Sequence, residues 1–140
     1  KILGMDKIIG LGNALVDVLA TLKDDTLLDE MGLPKGSMQL IDDAKLQQIN
    51  IKFSQMKTHL ATGGSAGNAI LGLACLGAGT GFIGKVGNDN YGEFFRENLQ
   101  KNKIEDKLLN SDRLPSVWHP LLFHRMESAL SEPIWEQPLL

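Results

Sequence analysis

The chain has 140 residues, 43% of them hydrophobic, with a single cysteine and a formal net charge of -3. That length suits one domain with a real core and hardly two. The acidic balance gives no electrostatic reason to expect nucleic acid or an anionic membrane as partner. No apolar run reaches the length of a membrane span, and the first ten residues lack signal-peptide architecture. The three histidines and one cysteine show no metal-ligand spacing. The expected setting is a reducing cytoplasm, with no metal site.

In chain order, Ile8, Ile9 and Leu11 predict a first buried strand, with Gly10 and Gly12 allowing close approach at its end. Asp17 follows between Leu15-Val16 and Val18-Leu19. A carboxylate among aliphatic residues must be paired, hydrogen-bonded or facing a cavity. It reads either as a strand-edge aspartate capping a turn or as an acceptor for ligand hydroxyls.

Asp24-Asp25-Thr26 predicts the cap of a short helix through Leu27, Leu28 and Met31, stopping at Gly32. Gly36–Ile41 alternates as a strand does. Asp42-Asp43 offers an N-cap for a helix carrying Leu46, Ile49 and Phe53. His59 lies beyond that helix as a solvated or capping residue.

Thr62–Gly77 is the centre of the pattern. Gly63-Gly64 runs directly into an Ala/Leu-rich segment in which Ile70, Leu73, Ala74 and Gly77 share a face. A glycine pair ahead of a helix N-terminus lets backbone N–H groups approach a hydroxyl-rich or anionic ligand. It also suits an ordinary loop before a closely packed helix. Cys75, inside this apolar pattern, is expected to be buried and inert.

Beyond it, Ala78–Gly87 predicts a second buried strand, Asn88–Gly92 a polar turn, and Glu93–Lys103 an amphipathic helix with Phe94, Phe95 and Leu99 inward. Ile104–Leu109 starts another strand. Strand–helix alternation with short connections predicts α/β architecture with parallel strands. Ligands collect at the carboxyl ends of such strands, where Asp17, Gly63-Gly64 and Gly84–Asp89 are expected to converge.

Three motifs in this order, Gly12-Asn13-Ala14-Leu15-Val16-Asp17, Gly63-Gly64-Ser65-Ala66-Gly67-Asn68 and Gly84–Gly92, resemble the ribokinase-type (PfkB-type) family of ATP-dependent sugar and nucleoside kinases. The resemblance covers roughly residues 8–110. It implies a truncated ribokinase-like three-layer α/β fold, with a mostly parallel sheet and part of a small β lid drawn from about residues 18–41. It implies that Asp17 accepts hydrogen bonds from substrate hydroxyls with Asn13 assisting, and that Gly63, Gly64 and Asn68 hold the same ring. Lys85 and Asp89 would support the pocket.

The family's Asp-Thr-x-Gly-Ala-Gly-Asp motif, which stabilises the transferring phosphoryl group and supplies the general base, is not in this sequence; nor is a Walker-type loop. No catalytic residue is therefore expected. ATP and Mg2+ are implied for a full-length parent and are not expected to bind this fragment well. The expected function is the substrate-side portion of a sugar or nucleoside kinase, inactive alone. The alternative is a non-catalytic polyol- or nucleoside-binding module.

Residues 1–116 form this portion. Residues 117–140 read as a non-native, frameshifted tail: all fifteen glycines precede Glu93, and from Val117 no alternation or helical period continues. Re-read one base earlier, Trp118-His119 must yield Ala, and both Met126-Glu127 and Trp135-Glu136 must yield Gly. The remaining positions permit a strand–hairpin–strand lid segment beginning Gly-Val-Ala-Ser-Thr. A parallel sheet cut short leaves an edge and part of its faces uncovered. Self-association is expected, with Trp118, Leu121, Leu122, Phe123, Ile134 and Trp135 available to cover that surface in cis or to drive pairing.

Overall fold

The computed structural model describes residues 7–124. Ten elements follow one another: β1 (Ile8–Leu11), β2 (Leu15–Leu22), α1 (Thr26–Glu30), α2 (Asp43–Phe53), β3 (Thr58–Gly63), α3 (Ser65–Cys75), β4 (Thr80–Gly87), α4 (Asn90–Lys101), β5 (Glu105–Ser111) and β6 (Val117–His124). They build two three-stranded sheets, ordered β1-β4-β5 and β3-β2-β6. The first is wholly parallel. In the second, β2 runs antiparallel to β3 and parallel to β6. The mixed α/β class with a mostly parallel main sheet is as the residues predict.

Helix entries follow their capping chemistry. Asp42 accepts from the Lys45 N–H at 2.8 Å and starts α2, whose Ile49 and Phe53 are buried as the period requires. Asp89 accepts from the Gly92 N–H at 2.9 Å and starts α4. The helix therefore begins at Asn90, inside the stretch expected to be a turn, because the cap lies there. Helix α3 ends in a Schellman pattern, with the Ala78 N–H donating to Leu73 O and the Gly77 N–H to Ala74 O. Gly77 takes φ of +86° beyond the last turn instead of continuing the apolar face.

Helices α3 and α4 pack on one face of the first sheet, with Ile70, Phe82, Phe95, Leu99 and Leu108 in a shared core. Phe82 and Phe95 meet with ring centroids 5.5 Å apart. Arg96 of α4 reaches β5, donating to Asp106 Oδ2 at 2.5 Å and to the Leu108 carbonyl at 3.2 Å. A second core forms around Val18, Ala20, Met31, Ile49 and Phe53. Tyr91 and Trp118 pack against both cores.

Several expectations are corrected. Strand β1 is not buried: among the described residues it pairs only with β4 and stands at the sheet edge, leaving Ile8, Ile9 and Leu11 exposed. Gly36–Ile41 forms no strand; its alternation has no neighbouring strand to pair with among the described residues, and Met38 and Leu40 lie in solvent. Of the span 18–41 assigned to the lid, the strand is confined to the part up to Leu22, and its partners are β3 and β6. Cys75 is exposed, at the last turn of α3. The first eight residues of the segment read as a patternless tail form β6, in register with all of β2. The remainder of that segment, with Ile134 and Trp135, lies outside the described residues.

Candidate functional site

Asp17 lies within β2, opposite Ala61 of β3 and His119 of β6. This corrects its expected place at a strand end: the main-sheet strand stops at Leu11, and Asp17 belongs to the second sheet. Its side chain is 23% exposed. Among the described residues no hydrogen-bond donor is seated on its carboxylate; His119 Nδ1 stands 3.8 Å from Oδ1, beyond hydrogen-bond reach. A half-sheltered carboxylate without a protein donor is set up to accept from a ligand.

The glycine turn meets it. β2 and β3 pair so that Leu15 faces Gly63, and a Cβ on Gly63 would fall 2.5 Å from Asp17 Oδ2 and 2.7 Å from Leu15 Cδ2. A glycine is needed here so that the carboxylate has room. Gly64 then takes φ of +83°, and a Cβ there would come 3.1 Å from the Asn13 carbonyl oxygen. So Asp17, Gly63, Gly64 and the Asn13 backbone gather around the N-terminus of α3. Asn13 and Asn68 expose their side chains to solvent, and the Asn68 N–H makes the first helical hydrogen bond, to Gly64 O at 2.9 Å.

Lys85 and Asp89 are not brought to the Asp17 carboxylate. Lys85 is exposed and lines a separate surface cleft with residues 110–114. Asp89 is fully engaged within the chain. Its Oδ1 accepts from Gly92 and its Oδ2 from the Ser116 N–H at 2.7 Å, while Ser116 Oγ accepts from the Gly87 N–H at 2.9 Å. Partial burial pushes the Asp89 carboxyl up, but the Ser116 and Gly92 N–H groups, the Ser116 hydroxyl and the Tyr91 N–H outweigh it. They hold the group below its ordinary value. Burial, then the Asp89 charge, pushes the Tyr91 phenol up. Another cleft, lined by Thr21, Lys23, Gln55 and His59 among others, also excludes Asp17 and the glycine turn.

Two residues, one in the Asp89 network and one beside Asp17, escaped the sequence reading. Ser116 is buried, and the signal for it was local: a small polar residue closing the loop back to a capping aspartate. His119 carried no signal, because its segment had no recognisable pattern.

Among the described residues no three His, Cys, Asp or Glu side chains converge to hold a cation. The helix N-terminus that would suit a phosphate has the Asp17 carboxylate lying against its glycine turn, and that charge repels a polyphosphate. A neutral hydroxyl-bearing ligand suits the turn better. Among the described residues no helix is long and apolar enough to cross a membrane.

A parallel α/β layer joined to a small second sheet, with an aspartate of that sheet against a glycine turn, defines a ribokinase-type architecture. The pfkB family carbohydrate kinase profile matches residues 36–113, and the chain belongs to that family. It is 28% identical over 86 residues to "Probable fructokinase-2" of Arabidopsis thaliana, covering 61% of this chain and 26% of that protein. It is 47% identical over 53 residues to a 5-dehydro-2-deoxygluconokinase of Bacillus anthracis, covering 38% of this chain and 14% of the relative.

Among solved structures, adenosine kinase from Sinorhizobium meliloti superposes with a TM-score of 0.66 at 31% identity, covering 84% of this chain and 36% of that one. Anopheles gambiae adenosine kinase superposes at 0.72 with 22% identity, covering 84% of this chain and 37% of that one, a likeness of fold. The chain thus spans about a quarter or less of these curated relatives and a little over a third of these structures.

Proposed function

We propose that this chain is the hydroxyl-binding side of an ATP-dependent sugar or nucleoside kinase, and that it does not transfer phosphate by itself. One observation carries the reading: the Asp17 carboxylate is half-sheltered in β2, receives no hydrogen bond from the described residues, and is kept clear by Gly63. Asp17 accepts from a substrate hydroxyl, and the Gly63-Gly64 backbone bounds the same space. Asn13 and Asn68, exposed at the rim, are available to a ligand that reaches them. ATP and Mg2+ would be held by residues of a longer kinase outside this set. Kinases of small metabolites work in the cytoplasm, which is the location proposed here.

Calorimetric titration of the whole chain with ribose, fructose and adenosine tests this reading. Binding of one of them, lost in Asp17→Asn, is expected, with no phosphoryl transfer from ATP. Measurable transfer overturns the inert reading; equal binding by Asp17→Asn overturns the role of the carboxylate.

We also propose that the segment after Ser116 is read out of frame. Support comes from the forced alanine and glycines and from the loss of alternation after Ser116. Reading the coding DNA tests it: one inserted base near the Ser116 codon must open a long frame with a kinase-like second half.

A further inference from the structure

We propose that His119 is the second arm of the hydroxyl receptor, so that one ligand hydroxyl donates to Asp17 Oδ1 while accepting from His119 Nδ1–H. The inference rests on the reading of Asp17 as the hydroxyl acceptor and adds the group that selects what it accepts.

Register puts the two residues directly across from each other on β2 and β6, on the same face. Their nearest atoms are 3.8 Å apart, with the imidazole 49% and the carboxylate 23% exposed. That separation is too long for a direct hydrogen bond, yet an oxygen set to one side of the line joining the two atoms can lie about 2.8 Å from each. On the opposite flank, Asp17 faces Ala61, which has no polar side chain to offer.

The chemistry of the pair is selective. A carboxylate only accepts and an Nδ1–H only donates, so a guest seated on both must do each. A hydroxyl does. An ammonium offers only donors and leaves the imidazole N–H unpaired. A phosphate offers mainly acceptors and is repelled by Asp17. The pair therefore selects neutral polyols, and selects against the deoxy analogue that lacks the seated hydroxyl. Position 119 is the alanine of the earlier reading frame, so this arm belongs to the chain as it stands and is removed by His119→Ala.

The test titrates ribose and its 2-deoxy and 3-deoxy analogues into the full chain and into Asp17→Asn, His119→Ala, His119→Asn and His119→Val. The last keeps strand propensity if the alanine variant fails to fold. Loss of His119 is expected to weaken ribose about tenfold, the worth of one net hydrogen bond. It should also close the gap between ribose and whichever deoxy analogue binds worst. His119→Asn, whose amide N–H can reach the Nδ1 position, is expected to recover most of both. Unchanged or tighter ribose binding in both His119→Ala and His119→Val, with binding still lost in Asp17→Asn, overturns the His119 arm and leaves the Asp17 reading standing. Binding indifferent to Asp17→Asn, or no binding by the unaltered chain, overturns both.

Discussion

Ser116 and Asp89 lock together across 27 positions of sequence: the Ser116 N–H donates to Asp89 Oδ2 at 2.7 Å, and the other carboxylate oxygen caps α4 through Gly92. Ser116 Oγ closes the knot by accepting from Gly87 at 2.9 Å. Ser116 immediately precedes β6, so the knot fixes where that strand begins and, three residues on, where His119 faces Asp17. Asp89, expected to support the pocket, anchors the start of the strand that carries His119.

The knot predicts a stability change with pH. Asp89 titrates below its ordinary value when folded, so the unfolded chain takes up its proton first as pH falls. The stabilisation is fully present above the ordinary carboxylate range and is lost as pH drops through the depressed folded value. Asp89→Ala is expected to cost about 2 kcal/mol, a cap plus a loop hydrogen bond. It should also flatten the acid side of the stability curve. Urea midpoints measured from neutral to acid pH check both.

Gly63→Ala separates binding from folding. The new methyl group would land 2.5 Å from Asp17 Oδ2 and 2.7 Å from Leu15 Cδ2, so both side chains must shift. Ligand binding is expected to fall at least as far as in Asp17→Asn, while stability drops by about 2 kcal/mol. Paired titration and thermal melts of the two variants read the difference.

What was legible in the sequence was local. Asp42 announces its helix, and Ile49, Phe53, Ile70, Phe95 and Leu99 fall on buried faces because helical period is written in consecutive residues. Pairing is not. Nothing in the period of residues 58–63 marks a strand, yet Thr58–Gly63 becomes β3 because β2 is there to pair with it. The same pairing moves Asp17 from a strand end to mid-strand beside Gly63. Ile8 and Ile9 have the composition of a buried strand, but burial depends on a second neighbour that β1 lacks among the described residues. The motif-bearing residues of the site could be named in advance; their contacts, and His119, come from strand register.

Trp118 is the link between the two cores. Its ring lies 5.7 Å from that of Tyr91 at 30°, and it packs on the clusters of both sheets. Trp118→Ala is expected to destabilise the chain by about 3 kcal/mol and to lower the cooperativity of unfolding. Denaturation followed at once by far-ultraviolet circular dichroism and Tyr91 fluorescence should then give two non-coincident transitions, where the unaltered chain gives one.

Thr80 offers a stabilising change. Its side-chain oxygen is buried at the start of β4 and finds no hydrogen-bond partner among the described residues. Valine has the same shape without the hydroxyl and suits a strand. Thr80→Val is expected to raise stability by about 1 kcal/mol, read as a higher urea midpoint at unchanged slope.

The bare face of the first sheet argues for self-association. Ile70 of α3 packs over Gly10 and Phe95 of α4 against Phe82, so both helices cover the face that carries Gly10 and Phe82. By alternation, Ile9, Leu11, Ile83 and Leu109 share the opposite face with Lys85, Glu105 and Lys107, and there Leu11 is 75% and Leu109 64% exposed. Among the described residues strand β1 is also an open edge, and Glu105 pairs with Lys7 and Lys107 beside the exposed leucines. An apolar face with an open edge tends to be covered by another copy. Light scattering is expected to show an oligomer. Leu11→Lys with Leu109→Glu, which place charges on that face without touching the buried core, should shift it to monomer. An unaltered chain that is already monodisperse and monomeric, with a sharp thermal transition, would show that the face needs no partner.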